Sequence, residues 1–211
     1  LAALEADDLA ALSTDQIVAL TTAQVVALTT VQIIALTSDQ VAALQTADVA
    51  ALKTSQIAAL TTLQVSKMTT AQLSALNSGT ATGQIQALSN DQIAKLSTAA
   101  IAALRTEQVA QLSTDQIRSL TDLQAEKLSA AAVQKLDAGQ LGALETQDVN
   151  KLASKILASQ IGSLTEEQIT ALGTDQIVAL TTGQLASLTT SQMGALTSTQ
   201  TAKLSTSQIK A

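Results

Sequence analysis

The side chains of this chain that could do proton-transfer or covalent chemistry are carboxylates, lysines and many serines and threonines. General acid–base work calls on His, Cys, Tyr or a carboxylate pair held in a cleft. The chain has no His, Cys or Tyr. Its adjacent acids, Asp7-Asp8 and Glu166-Glu167, read as solvated faces, and no hydroxyl has a partner base to activate it. The absence of Cys removes disulfides, thiolate nucleophiles and zinc–thiolate sites together, and suits an oxidising exterior as well as a reducing interior. For calcium, neither the glycine-aspartate nonapeptide of β-rolls nor an EF-hand loop is present. Asn77-Ser78-Gly79-Thr80 is the nearest oxygen-rich stretch, and it reads as a plain turn. The expectation is a non-enzymatic chain with no catalytic, cofactor-binding or metal-ligating residues and no cofactor.

Charge and hydropathy narrow the partners. A formal net charge of −6 and a sequence pI near 4.5 leave no basic face for phosphate binding, so nucleic acid is not expected. Apolar runs are short and broken by Thr, Ser and Gln, far below the ~20 residues of a membrane span, so no membrane insertion is expected. No signal peptide is visible. The chain opens at Leu1 and stops at Ala211 within the pattern, which reads as a fragment of something longer. There is also no Phe, Trp or Pro, while 46% of the residues are hydrophobic. Any core must therefore be aliphatic and narrow.

Whatever positions these residues is a repeat. The unit is Leu-Thr-Thr-x-Gln-Ile-x-Ala, with positions lettered a to h. Leu12, Leu20, Leu28, Leu36, Leu44, Leu52 and Leu60 occupy position a, followed by Met68 and Leu76. The series continues from Leu88 to Leu152 and from Leu164 to Leu204 in steps of eight. Only Leu76 to Leu88 and Leu152 to Leu164 are steps of twelve. The expectation is one solenoid over 1–211, with four-residue insertions within 77–88 and 153–164. Asn77-Ser78-Gly79-Thr80 reads as a loop and Ala153-Ser154-Lys155-Ile156-Leu157 as a lengthened helix.

A period of eight excludes two conformations. On one long α-helix each octad would carry its Leu about 80° round the axis, and no apolar stripe would form. On a strand, position f and the next a, three residues apart, would point to opposite faces. Short separate helices place f and a side by side. In Leu20-Thr21-Thr22-Ala23-Gln24-Val25, Thr21 and Gln24 form a capping box, and Leu20 and Val25 a hydrophobic staple. The same holds for 28–33 and 180–185. Where b is Lys53, Arg105 or Gly173, the cap is expected at b or one residue later, at Thr54, Thr106 or Thr174.

Acids favour d (Asp15, Asp39, Asp91, Asp115, Asp175, Glu107, Glu167) and lysines favour h (Lys67, Lys95, Lys127, Lys135, Lys151, Lys203). That polarity matches the helix dipole if each octad is its own helix. Helices of about seven residues, ~10 Å long, do not stand alone, so the octads must stack as a quasi-one-dimensional array. The expected fold is all-α: a tight superhelical solenoid of short helices, one per octad, with three per turn to suit the aliphatic interior. Gln at e has two readings, capping alone, or capping plus a ladder from coil to coil through its spare donors.

The units at 20–28, 28–36 and 180–188 resemble the Ala/Thr/Gln-rich octapeptide arrays of very large bacterial surface or secreted proteins of adhesin type. The resemblance covers nearly the whole chain. It implies a spacer or stalk at the bacterial surface or outside the cell, with flanking domains of a longer chain as partners. A narrower resemblance, in Leu-Thr-x-x-Gln-Val-Val-Ala at 20–27, is to the opening helix of transcription-activator-like effector repeats. Those units are longer and carry a base-reading loop, which this chain lacks. The alternative role is an interaction scaffold or a subunit that associates side by side. Apolar residues at g (Val18, Val26, Ile34, Val178) favour it, and polar ones (Arg118, Glu126, Gln134, Asn150) favour the spacer.

Overall fold

The computed structural model describes residues 4–77, 83–156 and 158–210. Among them are 24 short α-helices and one 3₁₀ helix, with no strand. Most helices hold five or six residues rather than seven, for example Thr22–Val26, Thr30–Ala35 and Ser38–Ala43. The difference lies at the start, because position b is the N-cap and the helix begins at c. Lys53, Arg105 and Gly173 all keep extended N-cap backbone. The cap therefore does not slide to the following Thr when b lacks a capping side chain.

Many of the helices end where the Leu turns out of helical geometry. Leu36, Leu44, Leu52, Leu60 and Leu76 have φ near −56° and ψ near +140°. One extended Leu followed by one extended cap residue makes a corner. Such abrupt ends leave amides and carbonyls without intrahelical partners. At the N-terminal side the box closes them: Thr29 N–H donates to Gln32 Oε1 (2.9 Å), and Gln32 N–H donates to Thr29 Oγ1 (3.2 Å).

The chain forms two compact units, Leu1–Leu112 and Ser113–Ala211. In the first, Ala6–Ala10 packs on Thr30–Ala35, Thr14–Val18 on Ser38–Ala43, and Thr22–Val26 on Thr46–Ala51. Thr30–Ala35 continues onto Thr54–Ala59, and Ser38–Ala43 onto Thr62–Lys67. In this unit the stacking partner lies three octads along, so the coil has three sides, as the aliphatic interior suggested. In the second unit Ile161, Ile169 and Ile177 line the core as f residues do in the first, and Glu166–Ala171 packs on Thr190–Ala195. Positions f and a fill the interior wherever turns stack on both sides. Ile17, Val25, Ile33, Ile57 and Val65 are fully buried, and Leu28 to Leu60 are nearly so.

The two insertions resolve differently. Residues 78–82, including most of the expected Asn77-Ser78-Gly79-Thr80 loop, lie outside the described residues. Asn77 itself has φ +59°, the left-handed region that Asn tolerates better than most residues. The lengthened helix expected over 153–157 is met in part, with helical backbone running on through Lys155 and Leu157 lying outside the described residues. The helix ends at Leu152, and a 3₁₀ turn, Ala153–Lys155, makes a short side of its own. That turn packs on Ala130–Val133 and on Thr174–Ala179. Leu152, Ala153 and Ile156 all point inward, and a corner after four residues lets Ile156 act as an extra position a. The helical preference of the local sequence is kept as a tighter turn that ends where Ile156 becomes extended and buried.

The glutamine ladder as candidate functional site

Thr21 and Gln24 show the capping box at the end of the stack, where Gln24 is exposed and its Oε1 accepts from Thr21 N–H at 2.8 Å. From Gln32 onward a turn lies beneath, nearly all the Gln side chains are buried, and the amide gains a second job. Gln64 Nε2 donates to the carbonyls of Ile33 (2.9 Å) and Leu36 (2.6 Å). Gln72 does the same to Val41 (2.9 Å) and Leu44 (2.7 Å), and Gln40 to Leu9 (3.0 Å) and Leu12 (2.7 Å). One amide thus caps the helix above through Oε1 and closes the C-terminal carbonyls of the helix below through Nε2. Of the two roles open to Gln at e, the ladder is the one observed.

The ladder also measures the coil. Leu44 and Gln72 are 28 residues apart, which is one turn of 24 residues plus the four from corner to Gln. Where the 77–88 segment is included the span is 32, as in Gln84 to Leu52 (2.7 Å) and Gln108 to Leu76 (2.9 Å). Where 153–156 is included it falls to 24, as in Gln160 to Leu136 (3.0 Å) and Gln168 to Leu144 (2.8 Å). Turns of 28 and 20 residues are accommodated without breaking the rungs.

Asn77 shows how the larger turn is tolerated. Its N–H donates to Gln84 Oε1 (2.7 Å), and Gln84 N–H donates to Asn77 Oδ1 (2.6 Å). This is a capping box whose partners are seven residues apart instead of three. The extra residues are spliced inside the box, and the cap still closes. Asn77 Nδ2 also donates to Gln111 Oε1 at 2.5 Å.

Several rungs depart from Gln in ways the repeat pattern did not reveal. The short side 153–156 has no Gln; Lys155 Nζ reaches down instead to the carbonyls of Glu126 (2.8 Å) and Leu128 (2.7 Å). At Ala100 and Ala132 the capping hydroxyls of Ser97 and Ser129 remain, each accepting at 3.1 Å, but methyl groups stand where the amide would be. Position e is Asp at 48 and 148, both buried. Asp48 accepts from Thr22 Oγ1 in the turn beneath (2.7 Å), while Gln45 Nε2 covers the Val18 carbonyl (2.9 Å). The missed signal was the single change at e, visible only once e is known to face the stack.

The charged residues singled out from sequence do not converge. Asp7 and Asp8, and Glu166 and Glu167, are exposed in the first turns of their helices. Among the described residues no group of three or more acids is arranged to hold a metal ion, and no helix is long and apolar enough to cross a membrane. A hollow of about 450 Å³ beside Leu185, Leu188, Met193, Leu204 and Ile209 is lined by ordinary f and a positions without a turn over them.

Repetition, one-dimensional packing and a buried tie from each corner to the corner a turn below define a helical-repeat solenoid. The chain belongs to the ALTTAQ repeat family, whose model matches residues 1–38, 41–78, 85–122 and 177–206. No curated protein matches it.

Proposed function

We propose that this array is a spacer: a non-catalytic structural module of a bacterial surface or secreted protein of adhesin type, holding the flanking parts of a longer chain apart. The observation that carries the reading is the placement of the exposed apolar side chains. Val18 and Ile34 are exposed and Val26 is half-buried; all three share position g and look like a stripe in the sequence. They sit on three consecutive helices, Thr14–Val18, Thr22–Val26 and Thr30–Ala35, each of which stacks in a different column. One of these three therefore falls on each side of the coil, so they do not line up on one face as a partner surface would require. The recurring polar atoms face inward, into the ladder, instead of toward a ligand. The missing His, Cys and Tyr support the non-catalytic part.

A spacer has a length set by copy number. Duplicating residues 29–76, six octads or two turns, should lengthen the stack by ~16–20 Å at the usual 8–10 Å between packed helices. Small-angle scattering and sedimentation should show the longer particle with the same cross-section, monomeric at every concentration tested. Concentration-dependent association of either protein would overturn the spacer reading in favour of a self-assembling subunit.

A further inference from the structure

We infer that the corner at Asp148 is a proton-operated latch, in which a protonated Asp148 carboxyl donates to the Asp122 carboxylate and so ties the helix Thr146–Leu152 to the helix Asp122–Lys127. The argument begins with register. At the other acidic rung, Asp48 is bonded to Thr22, 26 residues earlier, at 2.7 Å. The residue 26 before Asp148 is Asp122, on the helix against which Thr146–Leu152 packs. A hydroxyl donor has been replaced by a second carboxylate. The helper has changed as well: Gln45, which closes the Val18 carbonyl beside Asp48, has Glu145 as its counterpart.

Asp148 is 2% exposed, and its Oδ1 has no hydrogen-bond partner. Asp122 is held in place from two directions. Gln147 Nε2 donates to Oδ1 (2.9 Å), and Lys151 Nζ to Oδ2 (3.2 Å). A buried oxygen with no donor is costly as a carboxylate, while a protonated one can donate to its acidic neighbour, as aspartic dyads do.

The charged groups of the packed elements are Asp122, Glu126 and Lys127 on 122–127, Lys155 on the 3₁₀ side, Glu166 and Glu167 on 166–171, and Glu145 and Lys151 flanking Asp148 itself. Lys155 is committed to carbonyls and Lys127 pairs with Glu126. Burial, and then Asp122, push the Asp148 carboxyl up to about 6; Lys151 works in the opposite direction and Glu145 adds to the rise.

The folded state then holds a proton that the unfolded chain releases, because the folded value lies above the ordinary 3.8. The stabilisation is full below pH 4, is lost as pH rises toward 6, and is absent above it. Across that window the local opening equilibrium should rise tenfold to roughly a hundredfold, since proton binding weakens about tenfold for every pH unit separating the folded and unfolded values.

The experiment compares native-state hydrogen exchange at Val149 and Ala125, from pH 4.5 to 7.5, in the wild type, D148N and D122T. After correction for intrinsic exchange, wild-type protection should fall with rising pH. D148N, which carries a permanent donor, should match the wild type at pH 4.5 and lose the slope. D122T, which recreates the Asp48–Thr22 arrangement, should flatten the slope at least severalfold. Parallel profiles for wild type and D148N would overturn the latch. A D122T slope equal to the wild type's would overturn Asp122 as the acceptor.

Discussion

Replacing Gln64 with Leu should cost about 3–6 kcal/mol, one of the largest losses available from a single substitution in this chain. The apolar side chain fills similar space but abandons three groups at once. Thr61 N–H loses the Oε1 acceptor at 2.6 Å, and the Ile33 and Leu36 carbonyls lose the Nε2 donor. Each buried polar group left without a partner costs ~1–3 kcal/mol, partly offset by the apolar transfer of Leu. The control is Gln24→Leu. Gln24 is exposed, with its side chain bonded to Thr21, so only a capping contribution of about 1 kcal/mol is at stake. Denaturant unfolding of the two variants separates the roles. Equal losses would mean that Gln acts as a cap alone and that the inter-turn bonds contribute nothing.

Leu52→Ala should destabilise by about 2–5 kcal/mol, the range for removing a buried Leu from a packed core. Leu52 is 1% exposed and has stacked turns on both sides. Leu204→Ala should cost markedly less, because Leu204 is only partly buried, beside the uncovered hollow, where end units fray. The difference is the signature of an array in which each octad is supported by those a turn away. Local protection by hydrogen exchange, alongside chemical unfolding, would show the Leu52 loss spreading to Leu28 and Leu76 and the Leu204 loss staying local. Similar global losses at both sites would contradict the one-dimensional stack.

Much of this fold is legible in the residues because one short pattern is imposed so many times. The Leu and Ile spacing, the Thr–Gln box and the acid-to-lysine polarity each point to separate short helices. They agree because every helix meets the same three demands: bury f and a, close its first amides, and respect its dipole. What was not legible depends on what lies a turn beneath. Ala153-Ser154-Lys155-Ile156 is a competent helical sequence by propensity. It becomes a side of its own because Ile156 has a place in the core and Lys155 finds two carbonyls below. Asp48 and Asp148 look alike at position e, and they are distinguished by the residue 26 earlier, Thr22 or Asp122, and by the helper three residues before, Gln45 or Glu145. How the g-position valines and isoleucine are distributed also depends on the coil. A stripe along the sequence becomes a scatter when each octad turns a corner.

The 24-residue turn also makes the array a store of slack. Stacked, a turn occupies ~10 Å along the coil, the spacing of packed helices. Drawn out, the same 24 residues reach ~80 Å at 3.3–3.6 Å per residue. The ties between turns are side-chain amides at the corners, set in series, and a pull on one end loads the outermost corner first. Under tension the coil would therefore release thread one turn at a time, yielding roughly eight times its resting length before the chain runs taut. Such a coil would give ground in small instalments under load and would rewind when the load is removed.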